Sequence, residues 1–274
     1  MKKSLVILVI LLILTLVGII LTHPYSVRHE TIKEAMRDAV LHNENKIRVF
    51  GLIDVDPSLA AGYVVTAMLL ITAALIRIFA IPRFQMIPGK FQLLIEEWVG
   101  VFDRLARTNS PHKNSALGAY IFAAGSYIFV GTVFELFGVQ GITTQGHSIS
   151  LPAPLANING AISMGCFSYL FILIGGITTN KVRGIGRTLK EFSLPISMTF
   201  RLFGALLSGM LTTELVYFYI QLSFVLPVVI GVLFTLLHAL IQAYVLTMLT
   251  SVYYGEVTEV MEKKAKKKTD AGEK

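Results

Sequence analysis

The feature that most constrains this chain is the stretch from residue 192 to residue 254, which is apolar and almost free of charge. Three ionisable residues interrupt it, namely Arg201, Glu214 and His238. An ionised side chain at membrane depth costs roughly 2.5–3.5 kcal/mol, and an arginine cannot lose its proton to escape that cost. We therefore interpret Arg201 as a functional residue. The alternative is a structural arginine whose side chain reaches the lipid headgroups.

The composition indicates an integral membrane protein. Of its 274 residues 54% are hydrophobic and only 15% charged, whereas soluble domains carry about a quarter charged residues. The net charge of +7 does not indicate a nucleic-acid partner, because the basic residues lie in short clusters between apolar runs. Cys166, the single cysteine, can form no intrachain disulfide.

Four apolar runs precede the long stretch, and each is close to the ~20 residues needed to cross the hydrocarbon core. They lie at 4–22, 58–76, 114–134 and 157–178. A signal peptide is the alternative for the first run, but that run is long and no small-residue cleavage site follows it. With two helices in the last stretch, the sequence predicts an all-α polytopic fold of about six spanning segments.

The segments between these runs are polar or amphipathic. Residues 23–57 carry mixed charge, with a short helix predicted over 31–42. Residues 90–108 repeat apolar side chains at helical spacing, which predicts an amphipathic helix on the membrane surface or against a partner. A loop rich in Gly, Ser and Pro runs to about residue 154, and the basic segment 181–190 is predicted to form turns.

The last stretch must contain two helices, broken near residues 221–227. Each would have about thirty residues and a length of ~45 Å, so we expect both to tilt steeply in a ~30 Å hydrocarbon core. With both chain ends in the cytoplasm, eighteen of the 24 Lys and Arg residues lie on the cytoplasmic side. We divide the chain into an amino-terminal helix with an outer segment (1–56), a membrane domain (57–255) and a basic cytoplasmic tail (256–274).

The polar residues at membrane depth are typical of an ion path. Carboxylates, amides and an imidazole can relay protons or replace hydration in a narrow channel. The candidates besides Arg201 are Glu135, Asn157, Asn159, Glu214, His238 and Gln242. If the last two helices form an antiparallel hairpin, Gln242 lies at the depth of Arg201, where its amide can accept from the guanidinium. The sequence has no phosphate-binding loop, metal-ligand cluster or nucleophile motif, so we expect no catalysis, cofactor or metal.

Several motifs resemble one known family. Residues 195–204 read Pro-Ile-Ser-Met-Thr-Phe-Arg-Leu-Phe-Gly, and with Ser208-Gly209 they resemble the arginine helix of subunit a of the F-type rotary ATP synthase. Residues 242–250 and Val252-Tyr253 resemble the last helix of that subunit. The segments 88–96 and 183–191 are also similar to the family, and the resemblance covers residues 57–255.

This resemblance implies a function. It implies that this chain is the stator of an ion channel in the plasma membrane of a bacterium, and that it is a multi-pass protein with a cytoplasmic C-terminus. In the family, subunit a packs against a ring of c subunits, each of which has a buried carboxylate. Its other partners are the b subunits of the peripheral stalk, and membrane lipid. Ions reach and leave the ring through two half-channels, and an essential arginine between them matches Arg201. Gln242, Glu135, Asn157 and Asn159 match other polar positions of the family.

The chain departs from the family pattern at three positions. Ala205 stands where the family usually has Asn, and Met210 where it usually has an acid. An acid returns one helical turn later at Glu214, and His238 lies three residues after the position that carries His in some bacterial members. These displacements run in opposite directions in an antiparallel hairpin, so contact between Glu214 and His238 does not follow from the motif. A sodium-coupled subunit a and an unrelated secondary transporter with a substrate-binding arginine are the alternatives.

Overall fold

The computed structural model describes residues 46–49, 53–144, 146, 148–218 and 226–259, together with seven positions between residues 9 and 20. Five helices in this part of the chain are long and apolar enough to cross a membrane. The predicted all-α polytopic membrane fold is confirmed. The predicted span at 4–22, the short helix at 31–42, most of the break at 221–227 and the tail beyond residue 259 lie largely or wholly outside the described residues.

Helix α1, Pro57–Leu75, begins with a proline at its first position, where the missing N–H is no loss. It continues as a wider π-helical turn, Ile76–Ala80, and a 3-10 turn, Ile81–Arg83, so the helical stretch runs past the predicted end of this span. Helix α2, Lys90–Asn109, is the predicted amphipathic helix. It packs on the next helix through its Trp98 indole N–H, which donates to Ser126 Oγ at 3.0 Å.

Helix α3 is Ser115–Phe134, and a 3-10 turn, Glu135–Phe137, extends it. Two short antiparallel hairpins lie in segments that the sequence predicted only as polar or loop regions, one before α1 and one after α3. Strands β1 and β2 pair Ile47–Val49 with Ile53–Val55, and strands β3 and β4 pair Gln140–Ile142 with Ser148–Ser150. A bridge between Ile47 and Thr143 joins the hairpins.

Helix α4 is Ile158–Asn180, and helix α5 is Val182–Lys190. The prediction that residues 181–190 form only turns is therefore wrong. Lys181, with φ of +52°, makes the turn alone. The glycines that suggested turns instead allow close packing, because an added Cβ at Gly184 would collide with the backbone of Gly176 in α4.

The last two helices are α6, Ser193–Phe218, and α7, Leu226–Thr258. Helix α7 is the centre of the bundle, since it contacts α2, α3, α4, α5 and α6. One buried cluster joins α2, α3, α4 and α6 to the carboxyl-terminal part of α7, and it contains Phe102, Ile121, Ile172, Met198 and Tyr254. A second buried cluster joins the middle of α6 and α7 through Leu202, Leu206, Ala243 and Leu246.

Polar contacts fix the predicted cytoplasmic end of the bundle. Asn109 Nδ2 donates to Ser251 Oγ at 3.1 Å, and that hydroxyl donates to the carbonyl of Leu105 at 3.1 Å. Asn180 Nδ2 donates to the Val257 carbonyl at 2.8 Å. Because these bonds connect three different helices, they set the position of α7 along its own axis.

Candidate functional site

Arg201 lies in the first half of α6, about 12 Å along the helix axis from Ser193. Its neighbours Met198 and Leu202 are buried in the bundle, whereas Arg201 is exposed on the surface of the chain. Among the side chains that the structure describes, no carboxylate forms an ion pair with its guanidinium. The cation therefore points away from the packed side of α6 and is available to a group outside the chain.

The surface around Arg201 is apolar. Phe200 is 63% exposed, and Ile196 is exposed one turn earlier on α6. Gly204, one turn after Arg201, has no atom within 4 Å of an added Cβ. The neighbouring helix α7 exposes Leu240, Ile241 and Tyr244 at the depth of this segment. Exposed apolar side chains are common to all the candidate spans, so it is the single cation within this surface that distinguishes it.

Gln242 lies at the middle of α7 and is only 6% exposed. Leu202 and Ala243, which adjoin Arg201 and Gln242 in sequence, belong to one buried cluster, so the two helices place these residues at similar depth. The expected hydrogen bond from the guanidinium is not formed in the described part of the chain, where Gln242 Oε1 has no partner. A buried acceptor without a partner costs about 1–3 kcal/mol, so this oxygen favours any donor that reaches it.

His238 contacts α6 near Gly209. An added Cβ at Gly209 would lie 3.7 Å from His238 Nδ1, and the imidazole also lies beside the Phe234 ring, with centroids 5.9 Å apart. The antiparallel register of α6 and α7 places the Glu214 backbone roughly one and a half turns from the level of His238. The side chain of Glu214 lies outside the described part of the structure, so its role stays a prediction.

The amino-terminal end of α4 forms a polar site around Asn157. Its Oδ1 accepts from the backbone N–H of Asn159 at 2.8 Å, which caps the helix, and its Nδ2 donates to Asp56 Oδ2 at 2.7 Å. Asp56, Asn157, Asn159, Tyr127 and Ser163 are among the residues that line a cavity of about 420 Å³. The cavity brings two predicted residues together with a carboxylate at the mouth of the bundle.

Asp56 is a site residue that the sequence reasoning missed. The available signal was its position immediately before Pro57, at the start of an apolar helix. Asp56 and Asn157 are 101 residues apart, and no local pattern predicts contact over that separation. Glu135, by contrast, is half-buried in the 3-10 turn after α3 and is not among the residues that line this cavity.

Comparison with known proteins identifies the family. The sequence model of the family described as ATP synthase A chain matches residues 62–255, which is more than half of the chain and includes Arg201, Gln242 and both outer asparagines. The chain belongs to this family. The match begins within α1 and ends within α7, and so includes nearly all of the described bundle.

Individual relatives agree with this assignment. The chain is 28% identical over 206 residues to the ATP synthase subunit a of Histophilus somni, an alignment that covers 61% of this chain and 76% of the relative. It is 22% identical over 199 residues to the ATP synthase subunit a of Cereibacter sphaeroides, which covers 68% of this chain and 76% of the relative. The similarity is distant, and it extends over most of both chains.

Proposed function

We propose that this chain is the proton-conducting stator subunit of an F-type ATP synthase, located in the plasma membrane of a bacterium with its C-terminus in the cytoplasm. Its partners are a ring of c subunits and the b subunits of the peripheral stalk, and it catalyses no reaction itself. The observation that carries the proposal is Arg201, a cation that lies on an apolar surface of a spanning helix and has no ion-pair partner among the described residues. Membership of the ATP synthase A chain family supports it.

The mechanism depends on the charge of Arg201. A carboxylic acid on the ring is neutral while it faces lipid, because burial disfavours its ionised form. When it arrives within ~4–6 Å of the guanidinium, the positive charge favours the carboxylate and the acid releases its proton. Since an arginine stays charged and is not deprotonated, it separates the two half-channels without relaying protons between them.

The other residues supply the remaining parts of the path. The cavity at Asp56, Asn157 and Asn159 provides a hydrated outer mouth, with one carboxylate to attract cations. Gln242 Oε1, which has no partner among the described residues, offers an acceptor at the depth of Arg201 that can bind a guanidinium without neutralising it. His238 lies between α6 and α7 toward the outer end, where an imidazole can transfer protons.

Crosslinking tests whether the surface around Arg201 faces a ring. A photoreactive phenylalanine analogue is placed at Phe200 or at Tyr244, which are 63% and 56% exposed. Both positions are expected to crosslink to the c subunit in native membranes, and mass spectrometry of the product identifies the partner. Leu70 in α1 is the matched control, because it is 66% exposed on a different helix and should give no c-subunit product. Absence of a c-subunit product from both Phe200 and Tyr244 would contradict the proposed function.

The outer cavity gives a second prediction. Asp56→Asn keeps an acceptor for Asn157 but removes the charge, so it is expected to slow ATP synthesis roughly three- to tenfold by weakening the attraction of protons to the mouth. ATP synthesis driven by an imposed proton gradient in vesicles measures this, and the loss should shrink at high salt.

Asp54→Asn is the matched control for Asp56→Asn. Asp54 lies two residues away at the surface, where hydrogen bonds from Arg48 hold its pKa below the usual range. Its replacement removes the same charge outside the cavity and should leave the rate of synthesis unchanged. Equal losses in the two variants would show that Asp56 acts only through general surface charge.

A further inference from the structure

A cavity at the other end of α1 is not used by the proton path. It has a volume of about 710 Å³ and lies between the end of the α1 stretch and the first turn of α2. Its walls are largely apolar, with Leu75, Ile76, Phe79, Phe84 and Phe91 among the lining residues. The volume lies within the range of about 300–1,000 Å³ that is typical of small-molecule sites.

Two cationic side chains are among the residues that line this cavity. Arg83 and Lys90 both line it and both are exposed. Neither forms an ion pair with a carboxylate among the described residues. The two other basic residues of α2 behave differently, because Arg104 pairs with Glu97 at 2.5 Å and Arg107 pairs with Asp103 at 2.7 Å. The cavity therefore keeps its two positive charges for a group that is not part of the described chain.

The cavity is held open by hydrogen bonds of its own wall. Gln92 Oε1 accepts from the backbone N–H of Gln85 at 3.0 Å, and Gln92 Nε2 donates to the Gln85 carbonyl at 2.9 Å. The same amide nitrogen donates to Glu96 at 2.7 Å. These bonds join the turn after α1 to the first turn of α2, so the cavity is preformed. They also give both side-chain polar atoms of Gln92 a partner. The charged residues among those that line the cavity are Arg83 and Lys90.

The position of the cavity selects the ligand. Its mouth lies where a spanning helix ends and an amphipathic helix begins, which is the level of the lipid headgroups. Phe91 and Leu94 expose their side chains beside it, 60% and 70% respectively. A ligand must therefore present an anion to Arg83 and Lys90 and hydrocarbon to the phenylalanines. We propose that this cavity binds one phospholipid with an anionic headgroup, such as phosphatidylglycerol, from the cytoplasmic leaflet.

The lipid site has a consequence for the bundle. A bound lipid would connect the end of α1, which has few buried side chains, to α2, which packs on α3 and α7. The described chain supplies few other contacts between these segments beyond the pair Gln85 and Gln92. The lipid thus acts as a structural ligand that connects the end of the first described span to α2. This role is independent of proton conduction.

Native mass spectrometry of the full-length chain in detergent tests the site with defined lipids. Phosphatidylglycerol is expected to be retained at one copy, and phosphatidylcholine of the same chain length roughly tenfold more weakly, because it carries no net negative charge. Arg83→Gln/Lys90→Gln should reduce phosphatidylglycerol retention at least tenfold and leave phosphatidylcholine unchanged. Arg183→Gln/Lys190→Gln is the matched control, since it removes two exposed cations from α5 and should change neither lipid. Equal retention of the two lipids, or an equal loss in the control variant, would overturn the proposal.

A second measurement needs no variants. It distinguishes a bound phospholipid from two other occupants of the cavity, a simple anion and a helix of a partner subunit. Phosphatidylglycerol with a photoreactive acyl chain is added to membranes that contain the assembled complex. Labelled peptides are expected from residues 75–92, and inorganic phosphate should not compete. Loss of label in the presence of phosphate would show a simple anion site. Label that reaches the isolated chain but not the assembled complex would show that a partner helix occupies the cavity instead.

Discussion

Arg201→Ala is expected to reduce ATP-driven proton pumping to background. A positive charge within ~4–6 Å lowers the pKa of a carboxyl by about 1–3 units, so removing it makes deprotonation of a ring acid roughly 10- to 1,000-fold less favourable. Without a fixed cation between the half-channels, protons can also pass along the subunit without turning the ring. Inverted membrane vesicles measure both effects, as loss of ATP-driven acidification and as a faster decay of an imposed gradient.

Arg201→Lys separates charge from shape. Lysine keeps a positive charge, but its ammonium is compact, strongly hydrated and able to lose its proton in an apolar setting, whereas the guanidinium is planar and permanently charged. We therefore expect this variant to fail in pumping as well. A lysine variant that pumped at the normal rate would show that charge alone is sufficient, and the arginine would then carry no geometric requirement.

The matched control for both variants is Arg183→Ala. Arg183 is an exposed cation at the start of α5, outside the spanning helices, and its loss changes the net charge by the same amount. Pumping should remain normal. Normal pumping in Arg201→Ala, with correctly assembled complex confirmed by its c-subunit content, would refute the role assigned to this arginine.

The sequence was sufficient for the five described spanning helices because membrane burial imposes a long apolar run on each of them. The amphipathic helix α2 was predicted almost to its ends for the same kind of reason, since its apolar side chains repeat at helical spacing. Local composition was not sufficient at residues 181–190. Gly184 and Gly186 suggested turns, but Gly184 serves the close approach of α5 to Gly176, a tertiary contact that no local pattern reveals.

The candidate site was predictable to the extent that charge is expensive in a membrane. Arg201 is identified as a candidate by that criterion alone, and the motif around it indicates the protein family. The partners of the polar residues were not predictable, because they depend on contacts between distant segments. Asn157 binds Asp56 across 101 residues, and Ile47 of β1 forms its bridge with Thr143, which lies 96 residues later in the chain. The cavity at Arg83 and Lys90 was missed because the two cations become neighbours only through the turn after α1.

A second large effect is expected at Gly255, where α7 passes the end of α2. An added Cβ there would collide with the carbonyl oxygen of Asn109 and lie 2.9 Å from its carbonyl carbon. These are backbone atoms, so no side chain can move aside, and relief requires α7 to separate from α2. Separation would also break the hydrogen bonds of Ser251 with Asn109 and with the Leu105 carbonyl. Gly255→Ala is expected to lower the free energy of unfolding by roughly 1–3 kcal/mol.

Gly231→Ala is the matched control, because the same substitution at another position of the same helix should raise the free energy of unfolding instead of lowering it. An added Cβ at Gly231 meets no atom within 4 Å, and alanine favours a helix over glycine by up to about 1 kcal/mol. Unfolding of the purified chain by SDS titration measures both variants. Equal stability of the two would show that the contact at Asn109 is loose. A selective loss in Gly255→Ala would show that the end of α7 is fixed by its close contact with the end of α2.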